Sequence, residues 1–358
     1  MYKFYCAIIV FLFSILVNAT AACTDFQVKA EDNSVIIARS MEFAIDLKSE
    51  VVLFPRGLKY TSVNEKGVKG ISWTSKYGFL AVDAFGEQEA IMDGMNEAGL
   101  SIEFLWFPGS QFQEATPGKF IAVSDMAKWV LGSFASIDEI KKALPKVNVI
   151  SLYIPELGQA PGLHAAVHDA SGNNIVIEFI DGKTIITDNP LGVMTNRPSI
   201  DWHLNNLRNY FSLAPEDIGA RKLGKVEFSS TGAGNGWLGL PGDWMPPSRF
   251  VKAAYLIHTA EQPKDAKTSL NFAQHVMNTV DIPYGLVREH LAGKTIYGYT
   301  QWLVFKDLTN RAFYYSSYQD PALKKIELEK LNFAVGTAIK SVSIESESTI
   351  IDTTDQLI

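Results

Sequence analysis

Apolar and polar positions alternate from Phe26 to Val28. Glu31-Asp32-Asn33-Ser34 then interrupts the pattern before a second apolar run from Val35 to Phe43. Two strands joined by a turn produce that spacing. With the turn centred on Asp32-Asn33, partner numbers sum to about 65 and Cys23 lies opposite Glu42. The hairpin returns Arg39 and Glu42 towards Cys23. Period-two alternation sends those two side chains to opposite faces, so both reach Cys23 only through a bulge or a strand end. Helical spacing follows from Ser124 to Val130, and again after Ser136, where Ser136-Ile137-Asp138-Glu139 has capping-box form. A meander predicts strands at Leu163 to His168, Ile175 to Ile180, Lys183 to Thr187 and Val193 to Asn196, with a turn at Asp181-Gly182. Helices are predicted from Pro246-Pro247-Ser248 to about His258 and from about Thr268 to Val280. Tyr299 to Lys306 and Arg311 to Ser316 form a late hairpin across Asp307 to Asn310. Strands, then helices, then strands predict an α+β fold with helix-covered sheets. No internal repeat or linker divides the chain, so one domain is expected.

The first residues follow another logic. An apolar stretch from Ala7 to Val17, broken only by Ser14, follows Lys3 and ends in Asn18-Ala19-Thr20-Ala21-Ala22. It is shorter than the roughly 18–20 residues a membrane span needs and has the small-residue exit of a secretory leader. Residues 1–22 are therefore expected to be a signal peptide, with export to the periplasm or medium, leaving Ala22 or Cys23 first and residues 23–358 as the functional domain. Processing as a lipoprotein, with Cys23 acylated, is a third outcome and would make the protein a binding module rather than an enzyme; such signals usually carry Leu three residues before the cysteine, where this chain has Thr20.

Composition narrows the partners. The 358 residues are 47% hydrophobic and 20% charged, ample for a large core. Thirty-two basic against 39 acidic side chains give −7, and losing Lys3 with the leader makes it −8. That sign, without any Lys/Arg run, argues against nucleic acid. Two cysteines exclude a disulfide scaffold and a Cys-rich zinc module, and Cys6 leaves with the leader.

Cys23 thus stands alone at the new N-terminus. A thiol of pKa about 8.5 needs a base near neutrality, and the α-amine of an N-terminal cysteine, at roughly 7.7–8, can serve. A nearby guanidinium favours the thiolate and a nearby carboxylate holds the amine, the parts Arg39 and Glu42 would take. A plain surface salt bridge between those two fits the spacing equally well. His164 and His168 have the i, i+4 spacing of a zinc pair, but sit in an expected strand without a third ligand. They follow Cys23 by 141 and 145 residues, as in papain-like proteases, but Ala22-Cys23-Thr24-Asp25 lacks the papain flank. Asp201 and Trp202 read as local packing. No metal is expected.

Five strings in register resemble one family. Cys23-Thr24, Ala38-Arg39-Ser40-Met41-Glu42-Phe43, Gly94-Met95-Asn96-Glu97-Ala98-Gly99-Leu100, Met194-Thr195-Asn196-Arg197-Pro198, and Leu240-Pro241-Gly242-Asp243 followed by Ser248-Arg249-Phe250-Val251 resemble the choloylglycine hydrolases. These are bile salt hydrolases and penicillin V acylases, N-terminal-nucleophile enzymes with a four-layer αββα sandwich. The resemblance implies Cys23 as nucleophile, its amine as base, Arg39 beside the sulfur and Arg249 as the second active-site arginine. Glu42 stands where most members have aspartate, one methylene longer. Asn196 matches the oxyanion-hole asparagine. Trp106, in Leu105-Trp106-Phe107-Pro108-Gly109, falls where relatives have Asn or Tyr, so only its backbone N–H can be the second donor. The implied reaction is hydrolysis of a linear N-acyl amide through a thioester, without cofactor or metal, often by a homotetramer. Phe43, Trp106 and Phe107 are the expected acyl pocket. The export signal and Trp106 resemble the Gram-negative branch, where penicillin V and N-acyl homoserine lactones are cleaved alongside or instead of bile salts.

Overall fold

A computed structural model describes residues 22–154, 157–291 and 293–358; apart from Ala22, the expected leader lies outside these residues. Two sheets stack face to face. The first runs, in spatial order, Val193–Met194 (β14), Ala22–Lys29 (β1), Val35–Phe43 (β2), Lys294–Asp307 (β18), Ala312–Ser317 (β19) and Lys324–Glu327 (β20), with Val287–Leu291 (β17) added to β18. The second runs Lys183–Asp188 (β13), Asn174–Ile180 (β12), Leu163–Asp169 (β11), Leu100–Trp106 (β8), Glu87–Asn96 (β7), Phe79–Ala84 (β6), Glu50–Phe54 (β3) and Lys340–Ser343 (β21). Short pairs lie outside them: Lys59–Val63 (β4) with Lys69–Thr74 (β5), Phe120–Ala122 (β9) with Asn148–Ile150 (β10), and Arg221–Leu223 (β15) with Val226–Phe228 (β16).

Helices close the outer faces. Val123–Ser133 (α1) packs on β7 and β8, and Ile137–Ala143 (α2) on β11. Ile200–Asn206 (α3) follows β14, while Pro246–Thr259 (α4) and Ala266–Asn278 (α5) cover β1 and β2. The result is the four-layer αββα sandwich. Being covered on both faces explains why β2 is buried at all nine positions. Polar Arg39, Ser40 and Glu42 are therefore embedded among apolar neighbours, and strict alternation disappears from the sequence.

The helices expected from periodicity are present within two residues at each end, except that α1 runs three residues beyond Val130. Ser136 caps α2 by accepting from Glu139 N at 3.4 Å, but the Glu139 carboxylate turns to Ala135 N at 2.7 Å, so the reciprocal half of the capping box is not made. The string from Gly94 to Leu100 is a structural joint between β7 and β8. Asn96 is fully buried; its Oδ1 accepts from Ala98 N and Leu100 N, and its Nδ2 donates to Leu131 O and Phe134 O. One side chain thus closes the hairpin and ties down the end of α1. Gly99 at φ +82° is required there, because a Cβ would sit 2.5 Å from Leu308 O.

The first hairpin corrects the expected register by one. Cys23 pairs with Met41 and Ala22 with Glu42. The loop is centred on Asp32, with Ala30 N donating to Ser34 O at 2.9 Å and Asn33 at φ +68°. A three-residue loop ending in a left-handed residue has an odd count, so its centre falls on a residue and the whole ladder shifts. No bulge interrupts the β1–β2 pairing.

Candidate active site

Everything at the first strand follows from which face each residue occupies. Cys23, Asp25, Arg39 and Met41 point between the sheets, whereas Thr24, Ser40 and Glu42 point towards α4. The Cys23 sulfur is thus buried against Met41 Sδ at 3.9 Å and Arg39 Nη2 at 4.0 Å. Arg39 is held from the opposite sheet: Nη1 donates to Met92 O at 3.0 Å and Nη2 to Phe104 O at 2.5 Å. Its guanidinium lies 3.5 Å from Asp93 and over the Trp302 ring. Burial raises the Cys23 thiol pKa above its ordinary value, opposed by the Arg39 and Arg249 charges and by the Trp106 backbone N–H facing the sulfur.

The main chain of residue 23 is gripped from the other face. Cys23 N donates to Asn196 Oδ1 at 2.8 Å. Arg249, on the first turns of α4, donates through Nη1 to Cys23 O and Thr24 Oγ1, and through Nη2 to Asn196 Oδ1 at 2.7 Å. Asn196 Nδ2 donates to Trp106 O at 2.8 Å, leaving its second hydrogen uncommitted. Asn196 lies just past β14, which ends at Met194 rather than continuing through Asn196 as expected. The sequence-predicted residues Cys23, Arg39, Asn196, Arg249 and Trp106 therefore converge on one atom group.

Glu42 stands slightly apart. It does not bond Cys23 N, where Ala22 is still attached; its Oε1 accepts from Thr300 Oγ1 at 2.8 Å and its Oε2 is buried without a partner. Burial pushes its carboxyl pKa up to about 7, despite Arg249 nearby. Glu42 and Ala22 line the same wide cleft with Trp106, Asn196, Trp202 and Trp244. Ala22 is the ladder partner of Glu42. Trp202, expected as local packing, is on the cleft wall.

A second, apolar cavity opens on the sulfur side of Trp106. Met41, Phe43, Phe104, Met92, Leu157 and Leu163 line it, and Ser124 is the one hydroxyl among the described residues of its wall. Phe43 and Trp106 meet edge to face at 6.0 Å. Phe107 is not on this wall, contrary to expectation: it lies one residue past the end of β8, which turns it to the opposite face, and its ring is tilted against His164 at 4.6 Å. Sequence reasoning missed Met41, whose only signal was its place in the Arg39-to-Phe43 string.

His164 and His168 share no ligand site. Four strand residues separate them by about 13 Å. His164 Nε2 donates to Thr195 O, and His168 bonds Asp25 at 2.8 Å. The papain-like pairing fails equally, since neither ring is placed at the Cys23 sulfur.

A sheet sandwich whose edge-near first strand presents a buried cysteine to two arginines and an asparagine defines an N-terminal-nucleophile hydrolase class. The match to linear amide C–N hydrolases of the choloylglycine hydrolase family covers residues 23–355, and the chain belongs to that family. It is 32% identical over 324 residues to a bile salt hydrolase/transferase of Clostridium perfringens, covering 89% of this chain and 96% of that one. A penicillin V acylase of Pectobacterium atrosepticum is 29% identical over 354 residues, covering 92% and 87%. Among solved structures, a variant of conjugated bile acid hydrolase from Clostridium perfringens superposes with TM-score 0.81 at 29% identity, over 92% of this chain and all of that one. Penicillin V acylase from Agrobacterium tumefaciens gives 0.74 at 25% identity, over 90% and 92%. The chain is a hydrolase of linear amide C–N bonds.

Proposed function

We propose that, after export and removal of residues 1–22, Cys23 acts as an N-terminal nucleophile on an N-acyl amide with an apolar acyl group. The single observation that carries this is that Arg39 meets the sulfur of residue 23 while Asn196 and Arg249 hold its nitrogen and carbonyl. The free α-amine takes the thiol proton as sulfur adds to the substrate carbonyl. The uncommitted Asn196 Nδ2 hydrogen and the Trp106 N–H receive the oxyanion, each such donor being worth about 3–4 kcal/mol. Collapse expels the amine, which leaves with the transferred proton. Water then hydrolyses the thioester, with the α-amine again as base, releasing the acid and the thiol. Glu42 holds the ammonium form once Ala22 is gone, its extra methylene carrying the carboxylate into the vacated space.

The apolar cavity beside Met41 and Trp106 receives the acyl group, and the wide cleft receives the leaving amine. Walls whose described residues offer one hydroxyl, Ser124, favour a phenoxyacetyl or alkyl acyl group over a steroid whose hydroxyls need partners. Penicillin V is therefore the first reading and a long-chain N-acyl homoserine lactone the second, with conjugated bile salts third. Hydrolysis of all three classes, with glycocholate and taurocholate as the bile salts, is to be compared by kcat/KM. Turnover of the first two above both bile salts is expected; a preference for taurocholate or glycocholate would overturn the acyl-group assignment. Homotetramer assembly belongs to the same reading, supported by the β15–β16 hairpin, which exposes Leu223, Val226 and Phe228.

A further inference from the structure

Two buried histidines near the site have no part in the chemistry described so far. His164, on β11, donates from Nε2 to Thr195 O at 2.9 Å. His203, on α3, donates from Nε2 to Asn196 O at 2.9 Å. The two acceptors are consecutive carbonyls, and the second belongs to the residue whose side chain holds Cys23 N and Trp106 O. Each ring packs against an aromatic neighbour, Phe107 tilted against His164 at 4.6 Å and Phe250 stacked on His203 at 4.6 Å. Each Nδ1 is buried without a hydrogen-bond partner, and Glu178 Oε1 lies 3.9 Å from that of His164. A carbonyl only accepts, so both Nε2 atoms carry hydrogen. Burial pushes the His203 pKa down to about 4, which keeps that ring neutral and its single N–H committed to Asn196 O. β14 stops at Met194, so no ladder fixes the backbone at 195 and 196.

We propose that His164 and His203 are positioning residues: a pair of ring N–H donors, from opposite sides of the strand end, that fix the Asn196 backbone and so aim its side chain. This rests on the reading of Asn196 as an oxyanion donor. An ordinary core role would be met by any apolar side chain of similar size, whereas this one requires an N–H at the Nε2 position. Glutamine carries an N–H near that point and leucine does not.

The test is steady-state kinetics on His203→Leu, His203→Gln, His164→Leu and His164→Gln, with thermal midpoints measured alongside. His203→Leu is expected to lower kcat roughly 10- to 100-fold with KM within about threefold, because the donor acts mainly on the transition state. His203→Gln is expected to recover kcat to within about threefold of the parent, since the N–H is restored. The His164 pair is expected to follow the same pattern and decides the matter if His203→Leu does not fold. Parental kcat in the leucine variants, or glutamine variants as impaired as the leucine ones, would overturn the proposal. Cys23→Ala run in parallel separates the two levels: an active Cys23→Ala sinks the nucleophile assignment, while an inactive one beside a fully active His203→Leu sinks the histidine pair alone.

Discussion

Cys23→Ala is expected to lower amide hydrolysis by about 10⁵-fold or more, and Cys23→Ser by a comparable factor. The size follows from losing covalent chemistry altogether. Arg39, Asn196 and Arg249 would still bind and polarise an amide, but nothing would attack it, and water has no assigned base in the first step. Serine keeps the α-amine yet replaces an acidic, polarisable thiol by a hydroxyl that a weak amine base does not ionise. Folding is expected to hold, since the sulfur meets Met41 and Arg39 at 3.9 and 4.0 Å, besides the Trp106 N–H that faces it, and fills little of the core. Rates are to be read from released amine under saturating penicillin V, with the thermal midpoint as a check on folding. Full activity in either variant would contradict the assignment.

Lys306→Met is expected to destabilise the protein by about 3–5 kcal/mol, the usual penalty for removing one partner of a buried ion pair. Lys306 is fully buried between the sheets; its Nζ lies 2.8 and 2.9 Å from the two Asp93 oxygens and also donates to Glu103. Burial works against the ammonium, but Asp93, Glu103 and Asp25 more than offset it, and the Lys306 pKa is raised. The cluster continues on both sides. Asp93 reaches Arg39, and Glu103 lies 3.7 Å from His168. His168 faces acceptors with both ring nitrogens, Asp25 Oδ1 at 2.8 Å and Gln27 Oε1 at 3.3 Å, so it is an imidazolium. The Gln27 orientation is fixed because its Nε2 donates to Gly172 O. Three cations, Arg39, His168 and Lys306, thus balance three carboxylates, Asp25, Asp93 and Glu103. Methionine at 306 leaves one carboxylate uncompensated in the core. Combining Lys306→Met with Asp93→Asn restores neutrality and is expected to recover part of the loss in urea unfolding. A single-variant loss below about 1 kcal/mol would show that the lysine is not carrying this balance.

That cluster was not legible in the sequence, and the reason is instructive. Asp25, Asp93, Glu103, His168 and Lys306 come from β1, β7, β8, β11 and β18, and nothing in their spacing marks them as neighbours. Strands covered on both faces also hide their own period. Glu50–Phe54 and Phe79–Ala84 are nearly continuous apolar runs, whose lack of alternation does not mark them as strands. Amphipathic α4 and α5 were readable because each has one wet face. In the site, Cys23, Arg39, Asn196 and Arg249 were readable as members of ordered motifs. Phe107 was misplaced because residue type cannot say which face of β8 it occupies. The one-residue register error had the same origin as the unresolved Arg39–Glu42 tension. Once Cys23 pairs with Met41, Arg39 addresses the sulfur from between the sheets and Glu42 lies beside Ala22 on the helix side, with no bulge needed.

The decisive measurement is the intact mass and N-terminal sequence of the exported protein, taken on the same preparation whose amidase rate is recorded. A chain beginning at Cys23 with an unmodified α-amine, in proportion to activity, is the expected result. A fully active sample that retains Ala22, or carries lipid on Cys23, would contradict the account.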